Sequence, residues 1–136
     1  MMNVPFAVAA LLAFVAAVIH GGVGEKLVVM RLRTDVLEPT RFGGPTMTKL
    51  MIRVTWHVAT LAFAVTGSAM AACVPAGSGA ACAGVGRVSA AAYASFAVLA
   101  IGLGIALRGR RAWKLFVRHP GPVAFVAVAV LAWRGS

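Results

Sequence analysis

The sequence predicts an all-α, polytopic membrane protein whose four transmembrane helices form two hairpins, with both termini outside. Three observations lead there. Hydrophobic residues make up 61% of the 136-residue chain and charged residues only 12%, more apolar surface than a soluble domain of this size can bury. The apolar residues fall in four runs, Val4 to Gly24, Val54 to Ala72, Val88 to Leu107 and Pro122 to Trp133. Between the runs the cations are distributed with a strong bias to one side.

The first and third runs hold 21 and 20 residues with no Lys, Arg, Asp or Glu. At about 1.5 Å per residue each spans a hydrocarbon core of about 30 Å. The start, M-M-N-V-P-F, has no basic region, and I-H-G-G-V-G-E makes a poor cleavage site, so the first run is expected to stay in the protein rather than leave as a signal peptide. R-L-R-T-D-V-L-E-P-T-R-F-G-G-P then forms a polar connection, and T-M-T-K is suited to N-cap the second helix. That helix crosses if Arg53 sits at the boundary and reaches for headgroups. The fourth run has 12 residues, about 18 Å of helix, and must borrow flanking residues to cross. Pro120 and Pro122 fit its first turn, where a missing N–H costs nothing. The expected spans are about 4–24, 50–72, 88–107 and 120–134, in one domain covering 1–136.

A net charge of +10 in a soluble protein would suggest nucleic acid. Here Lys26, Arg31, Arg33, Arg41, Lys49 and Arg53 lie between runs one and two, and Arg108, Arg110, Arg111, Lys114 and Arg118 between three and four. Only Arg87 and Arg134 fall on the other side, eleven against two. That bias keeps the basic loops in the cytoplasm of a bacterial inner membrane and attracts anionic lipid, so no nucleic-acid partner is expected. Cys73 and Cys82 bracket C-V-P-A-G-S-G-A-A-C on the opposite side, where a disulfide is permitted. The loop is short and rich in Gly, Pro and Ser, and suits the roughly 6 Å Cα separation of a bridge; a thiol metal pair is the alternative.

Lipid gives no hydrophobic push between helices, so small residues should mark the contacts. Ala9, Ala13, Ala16 and His20 form one stripe. Arg53, His57, Thr60, Ala64, Gly67 and Ala71 form a second, and Ala91, Ser95 and Gly102 a third. Trp56 and Trp113 are expected at the inner boundary and Trp133 at the outer one. Tyr93 is read as an interface residue.

The candidate site follows from depth. His20 lies about 6 Å inside the end of the first span and His57 about 6 Å past Arg53, so the two imidazoles sit at one level on small-residue faces. Glu25 follows G-G-V-G, a stretch loose enough to turn the carboxylate inward. Intramembrane ionisable groups are costly and pair with one another, and histidine titrates near neutral pH and ligates metals. His20, Glu25 and His57 could thus form a proton relay or hold a divalent cation. His20 and His57 could instead ligate haem b, with Arg53 beside a propionate. The structural alternative is a Glu25–Arg53 ion pair with a hydrogen-bonded imidazole that locks two helices together. His119 opens the fourth run at a membrane surface and needs no special role. Thr60 is expected to bond back to the Trp56 carbonyl. No nucleophile elbow, phosphate loop, paired carboxylates or C-x-x-C is present, so hydrolase, kinase and thiol-redox chemistry have no support and an enzyme is the weaker expectation.

The H-x-x-x-G-E step closing the first run and the W-H-x-x-T of the second resemble an uncharacterised group of small four-span bacterial membrane proteins. The similarity covers about residues 15 to 67. It implies only that His20, Glu25 and His57 belong together. The expected function is binding or passage of a cation or small solute at His20, Glu25, Arg53 and His57, in a homo-oligomer. A haem b redox subunit and a non-catalytic accessory subunit of a larger complex are the competitors.

Overall fold

The computed structural model describes residues 2–41, 43–76, 79–108 and 120–136. The described residues are helical, with no strand beyond an isolated bridge between Thr40 and Gly43. Helix α1 runs from Val4 to Val18 and continues without a break as a π-helix over Ile19–Val29. A 3-10 turn at Thr34–Val36 precedes α2 (Pro45–Ala76), α3 (Ala80–Arg108) and α4 (Gly121–Gly135).

Three stretches are long and apolar enough to cross a membrane: Val4–Val29, Pro45–Pro75 and Ala80–Ala106, with 26, 31 and 27 residues. Each outruns its expected span because the helix continues through charged residues that limit the apolar run, Glu25 and Lys26 in the first, Lys49 and Arg53 in the second and Arg87 in the third. Helix α4 has 15 residues, about 22 Å, which falls short of the same thickness. Large apolar side chains point outward on every long helix, among them Leu11 (62% exposed), Val65 (65%) and Val98 (71%). This is the pattern of helices solvated by lipid tails.

The N-capping expected of T-M-T-K is not what starts α2. Pro45 takes the first helical position, where its fixed φ is preformed, and the Thr48 hydroxyl donates to the Glu38 carbonyl at 3.1 Å, tying the preceding loop down.

The chain divides into two compact units, one comprising 1–13 and 66–136, the other 14–65. In the first, Asn3 fastens three helix ends. Its Oδ1 accepts from the Phe6 N–H at 3.1 Å as an N-cap of α1, its N–H donates to the Val74 carbonyl at 3.0 Å, and its Nδ2 donates to the Gly135 carbonyl at 2.8 Å. Cys73 and Cys82 are bridged, with Cα atoms 5.6 Å apart. This joins the end of α2 to the start of α3, as expected. Helices α3 and α4 run antiparallel: Phe96 meets Phe125 at a centroid distance of 5.9 Å, while Gly86 meets the last turn of α4. A Cβ on Gly86 would fall 2.6 Å from the Ala132 carbonyl oxygen and 2.5 Å from the Ser136 Cβ, so this approach requires glycine.

Two expectations change in this unit. Tyr93 is fully buried at 0% exposure, its hydroxyl 3.1 Å from that of Thr66 and its ring against Phe96 and Phe125; it is a core residue, not an interface one. The inward stripe of α3 is Cys82, Gly86, Ala90, Tyr93 and Ala97, while Ala91, Ser95 and Gly102 face outward. The physical reason is size: the inward face of α3 must carry the ring that fills the gap to α2 and α4, and small residues flank it. Trp133 is 63% exposed; Trp113 lies outside the described residues.

Candidate functional site

The site is built entirely within residues 14–65. Its first component is the π-helix of I-H-G-G-V-G-E-K-L-V-V. In an α-helix residues five apart are rotated by about 140°, so His20 and Glu25 would point in different directions. A π-helix closes i→i+5 hydrogen bonds and brings such residues onto one face; its last turn shows this register, the Met30 N–H donating to the Glu25 carbonyl at 2.8 Å. The glycine-rich stretch was expected to bend the chain and turn the carboxylate inward. The carboxylate does turn inward, by widening of a continuous helix rather than by a bend.

The second component is the face of α2 carrying Arg53, Trp56, His57 and Thr60, at spacings of three and four. It meets the π-helix residue by residue. The Trp56 Nε1–H donates to the His20 carbonyl at 2.8 Å, and the Trp56 ring stacks on the His20 imidazole at 4.1 Å and 12°. Phe63, itself 3% exposed, closes the other side edge-on at 5.6 Å. His20 Nδ1 lies 3.0 Å from the Thr60 hydroxyl, which also donates to the Trp56 carbonyl at 3.3 Å, the back-bond expected of it. A hydroxyl has one proton, so with both bonds made His20 carries its proton on Nδ1.

Both halves close in because two glycines let them. A Cβ on Gly21 would sit 2.5 Å from Thr60 Cγ2, and one on Gly24 would sit 2.6 Å from Trp56 Cζ2. Gly22, between them, has nothing within 4 Å. Two of the three glycines in G-G-V-G are thus fixed by contact with α2.

One turn further along, the ionisable groups meet. Glu25 is 7% exposed. Its Oε1 lies 2.7 Å from Arg53 Nε and its Oε2 3.5 Å from His57 Nε2, yet neither carboxylate oxygen receives a well-aligned hydrogen bond. The contact with Arg53 is therefore chiefly Coulombic. The two partners are open to the outside, with side chains 56% and 42% exposed. A nearly buried carboxylate thus has one flank against a guanidinium and the other against an imidazole, both of which reach the surface. Removing a carboxylate from water is costly without such a partner.

The structure brings together three of the four expected site residues, Glu25, Arg53 and His57, and places His20 beside them in a different role, clamped by Trp56 and Thr60. His119 lies outside the described residues. Among the described residues no group of three His, Cys, Asp or Glu side chains is placed to hold a metal ion, the expected set of His20, Glu25 and His57 included. Sequence reasoning missed Trp56, taken for an interfacial anchor, and the roles of Gly21 and Gly24. The signal was present in the matched spacings, with His, Gly and Gly on one segment and Trp and Thr on the other, but it becomes legible only in the π register. No family model, curated protein or solved structure matches the chain, so the resemblance of the H-x-x-x-G-E and W-H-x-x-T segments rests on those residues alone.

Proposed function

We propose that Glu25 and His57 form a proton-exchanging site near the cytoplasmic surface of a bacterial inner-membrane protein, and that the cation handled there is the proton. The observation that carries this reading is the Glu25 carboxylate, nine-tenths enclosed, without an aligned hydrogen bond, and 3.5 Å from the imidazole of His57. A metal cation is disfavoured because Arg53 already occupies one side of the carboxylate at 2.7 Å and would repel it. A proton needs no coordination shell. In the exchange, His57 Nε2–H⁺ gives its proton to Glu25 Oε2, leaving a neutral imidazole and a neutral acid; the reverse step restores the ion pair. Haem ligation through His57 Nε2 would break that contact with Glu25, so the haem b reading has less support.

The membrane orientation belongs to the same proposal. Eleven of thirteen cations lie in the connections between the first and second and between the third and fourth apolar runs, and the positive-inside rule assigns those connections to the cytoplasm. The disulfide end of α2 and α3, with Asn3 and Gly135 beside it, then faces outward, and both termini with it. The same proposal has the protein act as a homo-oligomer.

Proteoliposomes of the purified protein with an entrapped pH dye test this reading. Under a valinomycin-set potassium potential, wild type should pass protons faster than empty liposomes, and Glu25→Gln and His57→Ala should fall to the empty rate at unchanged helicity and oligomer size. Wild-type vesicles as proton-tight as empty ones would overturn it. The Trp56–His20–Thr60 clamp favours a second reading, a structural joint in an accessory subunit; it predicts proton-tight wild type together with loss of stability in His20→Ala and Trp56→Ala.

A further inference from the structure

Away from the Glu25 site, the first unit has an outward-facing groove of about 400 Å³ between α3 and α4. Its floor is apolar, formed by Ala91 and Ala94 of α3 and Ala129 of α4, and Arg87, Arg134 and Trp133 also line it. The antiparallel packing puts all three of the last at one end: Gly86, next to Arg87, meets Ala132 and Ser136, on either side of Trp133 and Arg134. Among the described residues that line it, the other end carries no charge. From Arg87 to Ala94 the trough extends about 10 Å along α3.

We infer that this groove binds a diacyl anionic phospholipid, with the phosphate between Arg87 and Arg134 and an acyl chain along the alanine floor. Charge complementarity selects the occupant. Neither arginine has an acidic partner among the described residues, and the chain's three acids, Glu25, Asp35 and Glu38, all lie outside residues 66–136. A second copy docked through the same face would bring arginine to arginine, which like-charge repulsion disfavours. A neutral lipid would fill the floor but leave both guanidinium groups without a counter-charge. Arginine presents a planar fork suited to phosphate oxygens, and a 63% exposed Trp133 beside it sits where tryptophan meets the headgroup layer. These two arginines are the only cations on that side of the charge pattern, and both line this groove.

Native mass spectrometry of the detergent-purified full chain, titrated with dioleoyl phosphatidylglycerol and separately with dioleoyl phosphatidylcholine, tests the inference. Basic residues near anionic lipid contribute about fivefold in affinity each, so wild type should prefer the anionic lipid by about 25-fold more than Arg87→Gln/Arg134→Gln does. Ala94 is exposed, so Ala94→Phe should fold normally, keep both charges and lose retention of the anionic lipid because the floor is filled. An undiminished preference in the double arginine variant would overturn the inference by assigning it to the other basic loops. Competition by glycerol 3-phosphate as effective as the lipid would overturn it in favour of a phosphate site without a chain. An Ala94→Phe variant that changes oligomer size while retaining the lipid would overturn it in favour of a second copy.

Discussion

Replacing Gly21 by alanine tests the interlock between the π-helix and α2 directly. The new methyl would lie 2.5 Å from Thr60 Cγ2 and 3.2 Å from its hydroxyl oxygen, where carbon atoms prefer about 3.5–4.0 Å. Relieving about 1 Å of overlap between two helices corresponds to overpacking, at about 1–3 kcal/mol, against a gain of up to about 1 kcal/mol from replacing glycine in a helix. The net expectation is destabilisation by about 1 kcal/mol. Gly22 is the internal control, since nothing lies within 4 Å of its added Cβ; Gly22→Ala should be neutral or stabilising by up to about 1 kcal/mol. Thr60→Ser removes the offending methyl but keeps the hydroxyl for His20, so Gly21→Ala should cost little or nothing in that background. The double-mutant cycle should return a coupling of about 1–2 kcal/mol. Reversible unfolding in mixed detergent micelles, followed by tryptophan emission, measures all five proteins. Equal effects of alanine at 21 and 22, or a cost at 21 that persists in the Thr60→Ser background, would refute the close approach.

Three further outcomes follow from the geometry. Arg53→Met should destabilise by up to about 3 kcal/mol because it strands a carboxylate only 10% exposed, whereas Glu25→Gln strands a guanidinium 56% exposed to solvating groups and should cost about 1 kcal/mol or less; the same unfolding assay ranks them. Cys73→Ser/Cys82→Ser should lose at most about 2.7 kcal/mol, the chain-entropy value for a loop closed over a separation of 9, and wild type but not the variant should shift on a gel upon reduction. In the loop, Arg33 donates to both oxygens of Asp35, at 3.0 and 2.5 Å, and holds its carboxyl below the usual carboxylate range. A lowered folded value means that the pair's contribution is complete above the ordinary Asp range and is lost as pH falls through the lowered value; an NMR titration of Asp35 should move upward in Arg33→Gln.

Composition and run length made the helical, membrane-embedded class legible, because lipid imposes a length and a polarity that any crossing helix must satisfy. The cysteine pair was legible for a similar reason: a short loop between two helices leaves its ends little freedom to part. Helix boundaries were not. Apolar runs stop at Arg87 and Glu25, whereas backbone hydrogen bonding continues past them. Glu25, Arg53 and His57 could be grouped from depth alone, since ionisable groups in hydrocarbon seek one another. His20 was misassigned because depth carries no angular information through a stretch of altered helical pitch, and Trp56 because a tryptophan near a boundary looks the same whether it faces lipid or a neighbouring ring. Tyr93 was misplaced on the same grounds.

Asn3 and Gly135 are bonded across a sequence separation of 132. At about 5–20 residues per second of synthesis, the carboxamide at the head of α1 waits roughly seven to twenty-six seconds before its partner carbonyl exists. Throughout that interval α1 must be kept in place by its own apolar surface and by water or lipid headgroups standing in at the amide. The knot of helix ends therefore closes late, as a clasp on helices already inserted, and a chain shortened before α4 should insert yet lack it.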